Sequence, residues 1–190
     1  MQRISLVKQA HSLIKDTLQH GDIAIDATLG NGHDALFLTE LVGPTGLVFG
    51  FDIQASAIEN TRERFRLAKL ESPTLILASH ALMSEKIPQQ YHGKVRTIMF
   101  NLGYLPGGDK HLITQTESTL VALQSAGKLL AKDGLLTIMA YPGHPGGDDE
   151  ALKVAQWCSQ LAPLYFNYQL TLSEADKPSA PKLFTIQKLT

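Results

Sequence analysis

Nine residues, DATLGNGHD from Asp26 to Asp34, constrain this chain more than any other stretch. The apolar run Ile23, Ala24 and Ile25 leads in, and Ala35, Leu36, Phe37, Leu38, Leu41 and Val42 lead out with the spacing of an amphipathic helix. The segment therefore reads as strand, glycine turn, helix. Gly30 and Gly32 lack a Cβ, so the backbone can turn sharply and bring its N–H groups against a ligand at the start of the helix. A turn of this kind in an α/β protein binds a nucleotide, and a dinucleotide and S-adenosylmethionine both fit it.

The flanking sequence repeats the strand-helix alternation. An amphipathic helix is expected over about Ile4–Leu18, with Gly21 ending it, followed by strands at Ile23–Ala27 and over LVFGFDI to Asp52. A helix over about Gln54–Leu70 and a short strand Thr74–Ala78 come next, with Ser79 and His80 at its carboxyl end. A loose segment through Pro88 and Gly93 precedes VRTIMFN, whose continuous apolar character suggests a strand buried on both faces and ending at Asn101. LGYLPGGDK is too rich in Gly and Pro to be regular. A helix over about Gln115–Leu130, a turn at Lys132, Asp133 and Gly134, and a strand over Leu135–Tyr141 lead to a second glycine loop, PGHPGGDD, and a helix over about Glu150–Leu161. The chain closes with two β-rich runs, Tyr165–Leu172 and Lys182–Leu189, expected to form an antiparallel hairpin. Alternation of this kind gives an α/β architecture: a mostly parallel sheet with helices on both faces, whose ligand lies outside the carboxyl ends of the strands. The loops at Asp26, Asp52, Ser79, Asn101 and Tyr141 should converge on one cleft.

Residues 1–190 are expected to form a single domain. Seventeen Lys and Arg against 18 Asp and Glu give a net charge of −1, which argues against a large electrostatic footprint for long nucleic acid. The single cysteine, Cys158, excludes an internal disulfide and a cysteine-based zinc cluster. Without an apolar run long enough for a membrane span or signal peptide, a cytoplasmic location is expected. His33, His111, Asp34 and Asp109 match no ligand spacing, so no metal site is expected.

The glycine run with Asp52 about 20 residues on suits NAD and S-adenosylmethionine alike, because both present a ribose whose hydroxyls a carboxylate at the tip of the second strand can accept. Asp26 shifts the balance. It precedes the glycines, where a carboxylate could hold an ammonium and would repel a pyrophosphate. The terminal hairpin and the loop after Asn101 point the same way. That loop resembles the Asn-Pro-Pro-Tyr signature of amino methyltransferases, keeping Asn101 and Tyr104 and replacing both prolines by Leu102 and Gly103. An Asn amide oxygen there can accept from a substrate amine and aim its lone pair, and an aromatic ring can stack on a base. Tyr104, Asp109 and His144 are unranked candidates for taking the amine's proton. Cys158, in a late helix, argues against a covalent cysteine route.

DATLGNGHDALFLTELVG together with FGFDIQ, NLGYLPGGDK and YPGH resembles the small bacterial class I methyltransferases that carry an rRNA methylase label. The resemblance implies a Rossmann-like seven-stranded class I methyltransferase fold and S-adenosyl-L-methionine as cofactor. It further implies methylation of the amine of 5-aminomethyl-2-thiouridine at the wobble position of the tRNA anticodon. Donor contacts are implied for Asn31, Asp52, Gln54, Ser79 and His80, beside Asp26, Gly30, Gly32 and Asn101. Substrate roles are implied for the loop Asn101–Lys110, with Leu102, Gly103, Tyr104, Gly107, Asp109 and Lys110, and for the loop carrying Tyr141, Gly143 and His144.

Plainer readings stand beside these. The glycines could serve a tight turn alone, Asp52 could be a helix cap, and His80 and His144 could be surface residues. Arg62, Arg64, Arg66 and Lys69, read as an RNA-facing patch with Lys94 and Arg96, could be a solvated helix face. A homodimer pooling two weak basic patches would supply RNA affinity. The alternatives left open are an rRNA or small-molecule methyltransferase, an NAD-dependent oxidoreductase, and a non-catalytic nucleotide-binding regulator.

Overall fold

In the computed structural model, which describes residues 5–103, 113–173, 177 and 179–190, helix α1 (Leu6–Thr17) is followed by β1 (Ile23–Asp26), α2 (His33–Val42), β2 (Leu47–Asp52), α3 (Ala55–Ala68) and β3 (Thr74–Leu77). The second half runs α4 (Met83–Lys86), β4 (Val95–Leu102), α5 (Thr116–Leu129), β5 (Leu130–Ala140), α6 (Gly147–Ser159), β6 (Phe166–Leu172) and β7 (Lys182–Lys188). The strands form one seven-stranded sheet in the order β3-β2-β1-β4-β5-β7-β6. Pairings from β3 through β5 are parallel, whereas β7 runs antiparallel to both β5 and β6. The expected hairpin is present, and its second strand lies inside the first. Strand order reverses between β1 and β4, the place where a sheet of this kind binds its ligand outside the carboxyl ends of the strands.

The two faces of the sheet follow from the period of two along each strand. Ile25, Phe51, Ile98, Phe100, Ile138 and Phe184 point to one side and pack against Leu123, Ala126 and Leu129 of α5 and Val154 and Cys158 of α6. Ala24, Val48 and Met99 point to the other side, under Ile14 of α1 and Leu38 and Val42 of α2. Leu6 and Ala10 carry α1 across Met139 and Leu183. Ser5 caps α1 by accepting the Lys8 N–H at 3.3 Å, and Gly43, at φ 65°, ends α2. No described helix is long and apolar enough to cross a membrane.

Two local expectations are corrected. The segment after β3 is not loose: a 3-10 turn at His80–Leu82, α4 and a second 3-10 turn at Gln89–Tyr91 place Met83 and Ile87 in the core. Single turns this short carry no readable hydrophobic period. The turn expected at Lys132–Gly134 lies within β5, where Val95 pairs with Leu130 and Thr97 with Leu135, so β5 bulges around Asp133 at φ 60°.

Candidate functional site

A cleft of about 970 Å³ opens at the carboxyl ends of the parallel strands, and each strand end contributes to its wall. Thr28 and Gly30 follow β1, Asp52 and Gln54 end β2, Ser79 and His80 follow β3, Asn101 to Gly103 end β4, and Tyr141, Gly143 and His144 follow β5.

The glycine turn is fastened to the tip of β2. The Asp52 carboxylate accepts the Gly30 N–H and the Gln54 N–H, each at 2.9 Å, and the Leu29 N–H donates to the Phe51 carbonyl at 2.9 Å. Gly30 and Gly32 adopt φ 52° and 74°, a region that L side chains avoid. A Cβ on Gly32 would lie 2.7 Å from Thr61 Oγ1 and 3.0 Å from Thr61 Cα, so this glycine also permits contact between the turn and α3. Asn31 is turned the same way: its carbonyl accepts from Arg64 Nε at 2.6 Å and its amide oxygen from Asn60 Nδ2 at 3.0 Å. Asn31 and Gly32 are thus fastened to α3, and neither is among the lining residues of the cleft.

Three carboxylates gather beneath and beside the turn. Asp26 is fully buried, with Oδ1 accepting the Thr28 N–H at 3.1 Å and Oδ2 enclosed without a hydrogen-bond partner among the described residues. Burial, reinforced by the nearby charges of Asp34 and Asp52, pushes its carboxyl from 3.8 up to about 8. Asp26 is therefore largely protonated at neutral pH and forms the floor under the cleft, not its wall. Asp34 occupies the wall position: one oxygen accepts from His11 Nε2 at 2.7 Å and the other from Asn101 Nδ2 at 2.5 Å. The Asn101 N–H donates to Thr28 Oγ1 at 2.7 Å. A site with this many acids suits a cation and disfavours a pyrophosphate.

Ser79 caps the turn after β3 by accepting the Ala81 N–H at 3.2 Å. His80 Nδ1 lies 3.2 Å from the Ala27 carbonyl, which can only accept, so Nδ1 carries the proton. Burial lowers the pKa of this ring, which keeps it neutral and leaves Nε2 as an enclosed acceptor without a partner among the described residues. Such an acceptor fits the exocyclic amine of an adenine.

On the opposite wall, Leu102 is buried and Gly103 sits at φ 147°. The Gly103 N–H donates to Thr114 Oγ1 at 2.9 Å, and the Thr114 N–H donates back to the Gly103 carbonyl at 2.8 Å. Thr114 and Thr119 each donate a hydroxyl, at 2.7 Å, to the two oxygens of the buried Glu150 at the start of α6. Glu150 thereby ties to α6 both Thr114, the partner of Gly103, and Thr119 in the first turn of α5. Tyr104, Gly107, Asp109 and Lys110 lie outside the described residues. Burial, with Asp34 nearby, raises the Tyr141 pKa, so its phenol stays protonated. His144 Nδ1 donates to the Pro145 carbonyl at 3.0 Å, leaving Nε2 as an acceptor, and a Cβ on Gly103 would lie 3.6 Å from it.

Thr28, Asp34, His11, Thr114 and Glu150 escaped the sequence reading. Asp34 enters the sequence analysis only as a metal ligand whose spacing matches no motif, and its tie to Asn101 joins residues 67 positions apart. Cys158 is buried, its thiol pushed up to about 12, and it is not among the cleft-lining residues. Two of the arginines expected to face RNA are spoken for on their own helix, Arg62 with Glu59 and Arg66 with Glu63, both at 2.6 Å.

Comparison with known proteins places this geometry in context. A family model described as "Putative rRNA methylase" matches residues 48–187. The chain is 41% identical over 161 residues to the chloroplastic tRNA (mnm(5)s(2)U34)-methyltransferase of Arabidopsis thaliana, covering 80% of this chain and 58% of the plant protein. The chain thus spans little more than half the length of that relative. Among solved structures, a protein of Clostridium thermocellum described as a putative rRNA-methylase superposes with a TM-score of 0.93 at 37% identity, over 100% of both chains. A protein of Streptococcus mutans described as a putative methyltransferase and solved in complex with SAH superposes with a TM-score of 0.88 at 32% identity, over 99% of this chain and 100% of the other.

Proposed function

The chain belongs to the family described as "Putative rRNA methylase", and from that premise we propose that it is an S-adenosylmethionine-dependent methyltransferase acting on the amine of 5-aminomethyl-2-thiouridine at the tRNA wobble position. The observation that carries the reading is one cleft with two chemically distinct walls. Carboxylates and a neutral imidazole, Asp52, Asp34 and His80, stand on the side of the glycine turn, and Asn101 stands at the tip of β4. The plant relative's name supplies the nucleoside, and the SAH complex of the Streptococcus mutans protein supplies the cofactor class.

On this reading Asp52 accepts the ribose hydroxyls, His80 Nε2 accepts from the adenine amine, and the acids near the turn favour the cationic methionine end. When bound, the donor supplies a methyl group on a sulfonium, already a good leaving group. What the chain contributes is position. The Asn101 amide oxygen accepts an N–H of the substrate amine and aims its lone pair at the methyl carbon. As the N–C bond forms, the C–S bond breaks with its electron pair remaining on sulfur, and the proton of the resulting ammonium passes to water.

Purified protein should warm in Tm by several degrees with saturating S-adenosylhomocysteine, since a ligand at 100 times its Kd stabilises by about 2.7 kcal/mol, and should not respond to NAD. A response to NAD alone would install the oxidoreductase reading. Incorporation of methyl into tRNA separates an enzyme from a regulator: donor binding without transfer to tRNA rich in the aminomethyl nucleoside would rule out the proposed activity.

A further inference from the structure

We propose that Asp34, braced by His11, is a positioning residue for amine methylation, fixing the amide of Asn101 with its oxygen toward the acceptor nitrogen. The inference rests on the methyl-transfer reading and adds to it two residues from α1 and α2.

An Asn side chain has two ends of similar shape and opposite hydrogen-bonding sense, and only the oxygen end can accept from an amine. The 2.5 Å contact between Asn101 and Asp34 Oδ2 settles which end is which, because a carboxylate only accepts and must face the NH₂. Asn101 Oδ1 is then directed away from Asp34, and Asn101 itself lines the cleft. The backbone at Asn101 is held independently, through its N–H to Thr28 Oγ1.

Asp34 is held in turn. Its other oxygen accepts from His11 Nε2 at 2.7 Å, and the His11 ring lies flat on Phe37, with centroids 3.9 Å apart and planes 10° from parallel. Asp34 begins α2, His11 and Phe37 come from α1 and α2, and Asn101 ends β4, so three elements fix one amide. Remove Asp34 and the amide loses the partner that decides its orientation.

The test is a mutant cycle assayed on an anticodon stem-loop carrying 5-aminomethyl-2-thiouridine, with S-adenosylhomocysteine affinity measured calorimetrically on the same proteins. Asp34→Ala should lower kcat roughly tenfold to a hundredfold at saturating donor, a loss beyond whatever S-adenosylhomocysteine affinity the same variant gives up. Asp34→Ala with Asn101→Ala should be no slower than Asn101→Ala alone, because the first residue acts through the second. Asp34→Asn, whose amide oxygen can still accept from Asn101, should recover part of kcat, and His11→Ala should lose less than Asp34→Ala. In ¹⁵N-labelled protein the Asn101 side-chain NH₂ should be shifted and protected in the wild type and exchange freely in Asp34→Ala, a readout independent of turnover. An Asp34→Ala enzyme with wild-type kcat, or single losses that multiply in the double variant, would overturn the inference while leaving methyl transfer intact. A wild-type protein that transfers no methyl would remove both.

Discussion

Asp26 and Asp34 are two identical side chains eight positions apart with opposite fates. Asp26 lies at the end of a buried strand, where burial outweighs the backbone N–H groups of Thr28 and Ala35 and pushes its carboxyl up to about 8. Asp34 lies in the first turn of a helix on the wall of the cleft, where His11 and Asn101 each reach one of its oxygens. Between about pH 4 and 8 the folded protein keeps a proton on Asp26 that the unfolded chain releases, so this group's contribution to stability falls as pH rises through that window. Asp26→Asn, nearly isosteric and without a charge to bury, should match wild type near pH 4 and exceed it by on the order of 1 kcal/mol or more at pH 8 in urea denaturation. Parallel pH profiles for the two proteins would show that Asp26 is not held protonated. The sequence reading located both strand-tip residues, Asp52 and Asn101, because chain order puts them at carboxyl ends. The depth of Asp26 is not legible there, because alternation of apolar residues marks a strand without marking how deep its last side chain sits.

Pairing between elements separates what pattern shows from what only coordinates show. The helices and strands around the glycine turn are evident from periodicity, yet His11 and Asp34 are 23 residues apart and meet only because α1 crosses the sheet over β5 and β7. Gly32 looks like a ligand-binding glycine in any reading of a Gly-x-Gly run, whereas its missing Cβ is also what lets the turn touch Thr61 of α3. Gly32→Ala should therefore destabilise by roughly 2–3 kcal/mol, combining overpacking with a left-handed φ, and should lower Tm even without ligand. An unchanged Tm for the ligand-free variant would assign this glycine to the ligand alone. Glu150 tells a similar story from the substrate side. It reads as one of three acids in the first turn of α6, and only its two threonine partners reveal a brace that reaches Gly103 through Thr114. Glu150→Ala leaves two hydroxyls without their acceptor. It should raise KM for tRNA severalfold with donor affinity unchanged, measured by steady-state kinetics and calorimetry. A change confined to donor affinity would contradict that role.

At the scale of the whole molecule, the sheet order places every chemically marked loop on one rim, and that convergence follows from strand-helix alternation alone. What alternation leaves open is the chemistry on the rim, because NAD and S-adenosylmethionine use the same crevice. Asp34 and Asp52 on the wall of the cleft favour a cationic ligand over a pyrophosphate, and the family match over residues 48–187 agrees. RNA recognition is less evident in this architecture. The net charge is −1, and Arg62 and Arg66 of α3 are paired with glutamates on the same helix. Mass spectrometry of tRNA nucleosides from cells lacking this protein tests the central claim most directly. The account predicts accumulation of 5-aminomethyl-2-thiouridine with loss of its methylated form, restored by the wild-type gene and not by Asn101→Ala. An unchanged nucleoside profile would contradict it.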